Sequence, residues 1–263
     1  MFSHKSAIVT LSVAFVVAPA SAQIVMDGTL RLAREAQRDV RDARIRTRMA
    51  TAVKPPEASL TIGLAHDRSD DEIKFSATPF ALDYKTDGTD TDWWKFQLTG
   101  DGYTRISAPG EASASGLGDL ALNVYRPLAS TLIGMIGLGI PTHGEVGSHE
   151  WTIGGKLIHW GDLSKDWGYS IVGRVAYQRN DTPELGSTSL MLYGQVAYSL
   201  GGDRSLGVGL SRQKRRGQGG ATELGLEYAF PLAEKTDAAV SLGRGLTKGA
   251  RHTAVEVDLT FRF

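Results

Sequence analysis

The side chains best able to do bond chemistry lie close together. His143, Ser148, His149 and Glu150 fall in one short polar stretch, and a loop there could hold a nucleophile, a base and an acid. The same stretch offers His143, Glu145, His149 and Glu150 as nitrogen and oxygen ligands for a metal. Nothing in the spacing enforces either arrangement, and polar loop histidines are ordinarily solvated. The reading is therefore that the protein is not an enzyme, with no catalytic residue, metal or cofactor assigned. The chain has no cysteine, which excludes thiolate zinc sites, iron–sulfur clusters, disulfides and cysteine nucleophiles. It also has no Walker loop, zinc-protease helix or dinucleotide fingerprint. A second set of polar residues recurs at alternate positions of apolar segments: Arg174, Gln178, Gln195, Glu223, Glu227, Glu256, Asp258 and Arg262. If that face lines an aqueous interior, these side chains set its polarity and selectivity and form no bonds.

Such residues must be held by strands. After Glu57 the sequence alternates with period two: Leu60, Ile62, Leu64; Trp94, Phe96, Leu98; Leu190, Leu192, Gly194, Val196, Tyr198; Leu224, Leu226, Tyr228, Phe230 against Glu223 and Glu227. This puts one face of each strand in an apolar medium and the other in a polar one. Twelve strands are expected, over 58–67, 72–84, 92–107, 117–126, 131–141, 150–160, 167–178, 188–200, 205–213, 221–230, 237–246 and 252–263. Most match the ~9–11 residues that a tilted strand needs to cross a bilayer.

A secreted sandwich would also alternate, and the last strand separates the two cases. Val255, Val257, Leu259, Phe261 and Phe263 interleave with Glu256, Asp258, Thr260 and Arg262. An apolar outside with a charged inside is the demand of a closed barrel in lipid. The terminal phenylalanine with apolar residues at every second position resembles the assembly signal of bacterial outer-membrane barrels, which implies recognition by the barrel-assembly machinery. Links at Pro127–Ser130, Gly161–Asp166, Gly201–Arg204 and Pro231–Thr236 are short, as periplasmic turns are. Those at Pro141–Glu150, Arg179–Thr188 and Lys214–Gly220 are longer and polar, as outer loops are. Lys85–Thr91 is a longer link on the periplasmic side. Aromatics near strand ends, among them Trp93, Trp94, Trp151, Trp160, Trp167, Tyr177, Tyr198, Tyr228 and Phe230, fit interfacial girdles.

Composition agrees once averaged over two faces. The chain has 263 residues, 29 basic and 29 acidic side chains, and a mean hydropathy of −0.16. That excludes a bundle of membrane helices and gives no case for nucleic-acid binding. Glycine is in excess, at 31 residues, and many of these fall inside the expected strands, where they allow curvature and close approach on the inner face.

The N-terminal part differs. Lys5, the apolar run Ala7–Ala18 and Pro19-Ala20-Ser21-Ala22 have the form of a signal peptide over 1–22, with cleavage near Ala22. Residues 23–56 are expected to be a periplasmic Arg-rich helix and linker, the helix lying over 29–50. Seven arginines there face Glu35, Asp39 and Asp42, a balance of +4. From Lys54 onward 21 basic residues face 25 acidic ones, a balance of −4. The plain reading is a solvated helix laced with ion pairs. The alternative is a helix that docks into, or under, an acidic mouth.

Two motifs carry a family resemblance. Gly116-Leu-Gly-Asp-Leu-Ala-Leu-Asn-Val-Tyr-Arg-Pro-Leu128 and Leu138-Gly-Ile-Pro-Thr-His-Gly144 resemble a pattern of the meta-pathway phenol-degradation outer-membrane transporters. Here one residue is inserted before the glycine of the P-T-G-like turn. The resemblance implies uptake of small hydrophobic aromatic compounds. From the residues alone, Gly116 and Gly118 permit a bend at a strand start, and Asp119 can tie down the turn through backbone N–H groups.

The expected protein is thus all-β: a single transmembrane antiparallel up-and-down β-barrel of about twelve strands over 57–263, with a short N-terminal periplasmic helix. It would sit in the outer membrane of a Gram-negative bacterium, among lipid and lipopolysaccharide, with Lys214, Arg215 and Arg216 available to lipopolysaccharide phosphates. Its expected function is to pass or bind small hydrophobic or aromatic solutes. The alternatives are a lipid hydrolase using the His143–Glu150 loop, and a structural or assembly barrel whose basic helix binds a periplasmic partner.

Overall fold

The computed structural model describes residues 57–69, 72–89, 91–147, 150–178, 188–215, 220–247, 250 and 253–263. The leader at 1–22 and the Arg-rich helix and linker at 23–56 lie outside the described residues. Thirteen antiparallel strands follow in chain order: β1 Glu57–Arg68, β2 Lys74–Lys85, β3 Lys95–Ser107, β4 Ala114–Gly116, β5 Leu120–Ala129, β6 Leu132–Ile140, β7 Thr152–Asp162, β8 Trp167–Gln178, β9 Thr188–Gly201, β10 Arg204–Arg215, β11 Ala221–Ala233, β12 Thr236–Gly245 and β13 Thr253–Arg262. Twelve of them pair with both neighbours and close a barrel. The seam is β1 against β13, in register from Ser59↔Arg262 to Arg68↔Thr253. The thirteenth, β4, is a three-residue flap on β3 within the long link to β5, and no alternation announces so short a piece.

The strand faces explain the closure. Along β13, Val255, Val257 and Leu259 are exposed while Ala254, Glu256 and Asp258 are buried. The apolar face continues around the barrel through Val208↔Leu226↔Leu242↔Val255, with all four side chains exposed. A continuous outward belt of this size would be untenable in water and is what a lipid-facing wall requires. No helix among the described residues is long and apolar enough to cross a membrane.

The expected strand spans hold within a few residues, the largest displacement being β5, which starts and ends three residues later than expected. Pairing with β6 continues past Pro127 through a register irregularity, so the turn shrinks to Ser130-Thr131. The β9–β10 turn is equally tight. Gly202 and Asp203 have φ of 60° and 59°, the left-handed pair that matches the twist of a two-residue hairpin.

Glycines serve both faces. Gly173 and Gly194 alternate with the buried residues and have open space where a Cβ would stand. Gly207 and Gly209 instead lie on the inner face of β10, and a Cβ there would run into the side chains of Gln195 and Tyr193. Those two side chains of β9 lean diagonally across their neighbour, which only a bare backbone permits. Gly209→Ala is expected to overpack Tyr193 and cost about 1–2 kcal/mol, read as a lower urea midpoint of the folded barrel in vesicles.

Candidate functional site: the barrel interior

The residues expected to face inward divide between two walls. On β11 and β13, Glu223, Glu227, Glu256 and Asp258 are buried, at 3, 8, 1 and 4% exposure. Glu227 and Glu256 share one register row with Ser241 of β12 between them. Asp67 of β1 is buried beside them, in register with Ala254. Arg262 is half-buried at the end of this wall where β1 begins, its guanidinium pairing with Asp237 and lying 4.0 Å from Glu57. Across the barrel, Gln195 of β9 is buried and Arg174 and Gln178 of β8 are half-buried. Many inner neighbours on the acidic wall are small, among them Gly63, Ala65, Gly207, Ser211, Gly225, Ala239 and Ala254, while Phe75 of β2 stands opposite Asp67 and Gln213 lies on β10.

The second wall was not legible as a site. Trp93, Tyr125, Ile133, Met135, Ile158, Trp160, Val172, Met191 and Tyr193 form one buried cluster on the inner faces from β5 to β9 and the approach to β3. Trp93 and Trp160 were expected in the interfacial girdle, and both are buried inside instead. Trp160 stands two residues from buried Ile158 and four from buried Lys156, which fixes its phase. Period two identifies a strand but does not say which face is inside when both carry apolar residues, as β7 does. Elsewhere the strand-end aromatics pack on one another: Trp167 packs on Tyr198 with centroids 4.9 Å apart, Tyr228 stacks on Phe230 at 5.1 Å, and Arg126 lies over Trp94 at 4.8 Å.

Three lysines sit among these rings. Lys85 lies 4.5 Å from the Trp93 centroid, Lys95 lies 4.3 Å from that of Tyr125, and Lys156 lies 5.2 Å from the same ring. A hydrogen-bonded network ties them to the sheet. Gln97 Nε2 donates to Asp83 at 2.8 Å, while Gln97 Oε1 accepts from Asn123 Nδ2 and from Tyr125 OH, each at 3.0 Å. Lys156 Nζ donates to the Tyr125 oxygen at 3.3 Å, and Lys95 is 3.9 Å from Asp83. The interior therefore has an acidic wall of small residues and an aromatic wall carrying cations. Charges opposed in this way orient a polar solute, and rings hold an apolar one.

Among the described residues, Trp160 Nε1 and Ser170 Oγ on the aromatic wall lack a hydrogen-bond partner. The two residues are register partners on β7 and β8, and Ser170 is fully buried. An unsatisfied buried donor costs about 1–3 kcal/mol, so this spot gains from any solute that brings an acceptor.

The outer loop proposed for chemistry is built differently. Asp119 Oδ1 accepts from the Thr142 backbone N–H at 3.2 Å, and Thr142 Oγ1 donates to the Leu117 carbonyl at 3.2 Å. The Gly118 N–H donates to the Asp101 carbonyl at 3.0 Å. The two motif segments are thus clamped together, Asp119 taking the turn-tying role its sequence position suggested. His143 adopts φ of 55° in that turn. Glu145 accepts from the Ser115 N–H at 3.4 Å. Ser148, His149 and Arg216 lie outside the described residues. Among the described residues no group of three His, Asp or Glu is disposed to hold a metal.

No sequence profile of a known family matches the chain, and no curated protein matches it in sequence. Solved structures do match its fold. The COG4313 outer-membrane channel from Pseudomonas putida F1 superposes with a TM-score of 0.63 at 16% identity, over 81% of this chain and 97% of that one. The β domain of the Bordetella autotransporter BrkA gives 0.53 at 13% identity, over 79% and 99%. The NanC porin gives 0.51 at 11%, over 78% and 98%. The likeness is one of fold: this chain is a closed twelve-stranded barrel of the kind found in outer-membrane channels, porins and autotransporter domains.

Proposed function

We propose that the barrel resides in a bacterial outer membrane and passes small apolar solutes, aromatic ones among them, through its interior without forming or breaking a covalent bond. The observation that carries this reading is the buried aromatic wall with its two unsatisfied polar atoms, Trp160 Nε1 and Ser170 Oγ. A ring such as phenol brings a face for Trp and Tyr stacking and one oxygen for the indole N–H. The resemblance of Gly116–Leu128 and Leu138–Gly144 to the phenol-degradation transporters points to the same solute class. Lipopolysaccharide slows such solutes, so a protein route through it is useful to a cell that consumes them.

The test is phenol influx into cells with intact lipopolysaccharide, with and without the barrel. Trp160→Phe keeps the ring and removes the donor. The half-saturating phenol concentration should rise about fivefold, the equivalent of one hydrogen bond of ~1 kcal/mol, while that for toluene stays unchanged. Equal phenol influx with and without the barrel would defeat the reading.

A further inference from the structure

The outward face of the barrel differs from sector to sector along one rim. One end of the barrel carries the short turns 130–131 and 202–203, and the other the longer links 141–151 and 246–252. In an outer-membrane barrel the longer links mark the end that meets the outside. At that end the outward positions beside β7 and on β8 are aromatic, Trp151 and Tyr177, both exposed. On β10 and β12 they are cationic instead: Arg212, Lys214 and Arg244, each exposed.

We propose that Arg212, Lys214 and Arg244 form a site on the lipid face for the phosphates of lipopolysaccharide in the outer leaflet. The inference rests on the outer-membrane residence proposed above and is separate from the passage of solute. Divalent cations bridge these phosphates between neighbouring lipopolysaccharide molecules, and at the barrel wall the two arginines and the lysine take that place.

Register fixes the spacing. Arg212 is opposite Thr222 and Arg244 is opposite Leu224, so the two lie two strands and two residues apart. At ~4.8 Å per strand and ~3.4 Å per residue that is about 10 Å across the sheet and about 7 Å along it, a span that two phosphates on one disaccharide head group can bridge. Lys214 stands two residues beyond Arg212 on the same face. A Cβ on Gly220 would stand 3.6 and 3.8 Å from Nη2 and Nε of Arg212, so the guanidinium lies against a bare backbone and leans across towards β11. The backbone under it is pinned: Thr247 Oγ1 accepts from the Thr222 N–H at 3.0 Å and donates to the Gly220 carbonyl at 3.3 Å.

Charge around the site has one sign. Among the described residues of β10 to β13, Glu223, Glu227, Glu256 and Asp258 are buried on the inner face, and Asp237 lies at the opposite end. The sequence over 211–222 and 243–254 contains no acidic residue. The cations of β1 and β2 on the same rim differ, because Arg68 pairs with Glu72 at 2.9 Å and the link between those strands also contains Asp70 and Asp71. Beside and below the site the outward face is Leu192, Leu210, Leu224 and Leu242, all exposed, where acyl chains can lie. Guanidinium groups take phosphate bidentately. Several cations over an apolar field therefore suit an amphiphile with more than one phosphate and several acyl chains, and a lipid with one phosphate engages one arginine at a time.

The full chain, folded in neutral detergent micelles as shown by heat-modifiable mobility, is titrated with lipid A in the presence of a chelator, and bound lipid is counted by native mass spectrometry. Changing Arg212→Gln, Lys214→Gln and Arg244→Gln together should lower the affinity about tenfold or more, the loss expected for charge-assisted bonds to phosphate. Changing Arg68→Gln and Lys74→Gln together should alter it less than about twofold. Lipid A stripped of its phosphates should bind the native chain no better than intact lipid A binds the triple variant, an arm that decides even for a variant that does not fold. Phosphatidylglycerol should bind several-fold more weakly, and millimolar inorganic phosphate should not displace lipid A. Equal affinity of the native chain for intact and phosphate-free lipid A would overturn the proposal, as would an equal loss in the two variants, which would mean that any rim charge serves. Phosphatidylglycerol bound as tightly as lipid A would mark a general anionic-lipid surface, and displacement by inorganic phosphate a free-phosphate site. Either would overturn the lipopolysaccharide assignment. No solute passage is measured, so the lipid site can fail while the channel reading stands; a barrel that fractionates away from the outer membrane would defeat the residence on which both rest.

Discussion

Val257→Arg is expected to destabilise the folded barrel by about 2–4 kcal/mol, whereas Thr253→Arg on the same strand should cost about 1 kcal/mol or less. Both side chains are exposed on one face of β13. Val257 lies midway along the strand, in register with Leu64 and Val240, and Thr253 lies at its outer end, opposite Arg68. If water covered this face, both arginines would be solvated and both changes nearly neutral. In lipid the guanidinium at mid-height must drag water inward or snorkel to an interface, and at the rim it need do neither. Urea midpoints of barrels folded into phosphatidylcholine vesicles measure the difference. Equal small effects would mean that the apolar belt does not face hydrocarbon.

A second large effect is expected inside. Gln97→Leu removes at once the donor to Asp83 and the acceptor shared by Asn123 and Tyr125. Gln97 and Asn123 are each 6% exposed and Tyr125 is 1% exposed, so water does not readily take the lost places. Three bonds at about 1 kcal/mol each, with some desolvation penalty left uncompensated, give a loss of about 3 kcal/mol. Because Tyr125 also positions Lys95 and Lys156, the same change should loosen the aromatic wall and widen solute preference. Gln97→Glu offers a comparison: it keeps the Oε1 acceptor, replaces the donating Nε2 by an oxygen and places charge beside Asp83, so it tests donor loss separately from volume. A urea midpoint unchanged by Gln97→Leu would show that the network adds nothing to stability.

How much was legible follows from what period two encodes. It identified the strands and the inward phase wherever one face is apolar and the other charged, as in Val255–Arg262 and Glu223–Phe230. It failed on β7, where Ile153 and Leu157 point outward, Ile158 and Trp160 point inward, and both faces carry apolar residues. There the deciding residue is Lys156, a buried cation whose phase Trp160 must share. The lysine–aromatic wall was hidden for a second reason. Lys85, Trp93, Lys95, Tyr125 and Lys156 are scattered over 72 positions and meet only when β2, β3, β5, β6 and β7 pair in turn. The clamp of Asp119 on Thr142 was half visible: the sequence gives the aspartate a turn-tying role, and the pairing of β5 with β6 supplies the turn.

The central claim is that solute moves through the interior, and neighbouring positions on one strand test it directly. Gly225 lies on the inner face of β11, where a Cβ would meet only ordinary contacts at 3.8 and 3.9 Å, and Leu226 faces outward. Gly225→Cys and Leu226→Cys can each be labelled with a bulky maleimide, confirmed by mass, in cells taking up phenol. Labelling Gly225→Cys should abolish barrel-dependent influx, and labelling Leu226→Cys should leave it unchanged. Influx that continues with Gly225→Cys fully labelled, or that falls equally for both, would contradict a lumenal route.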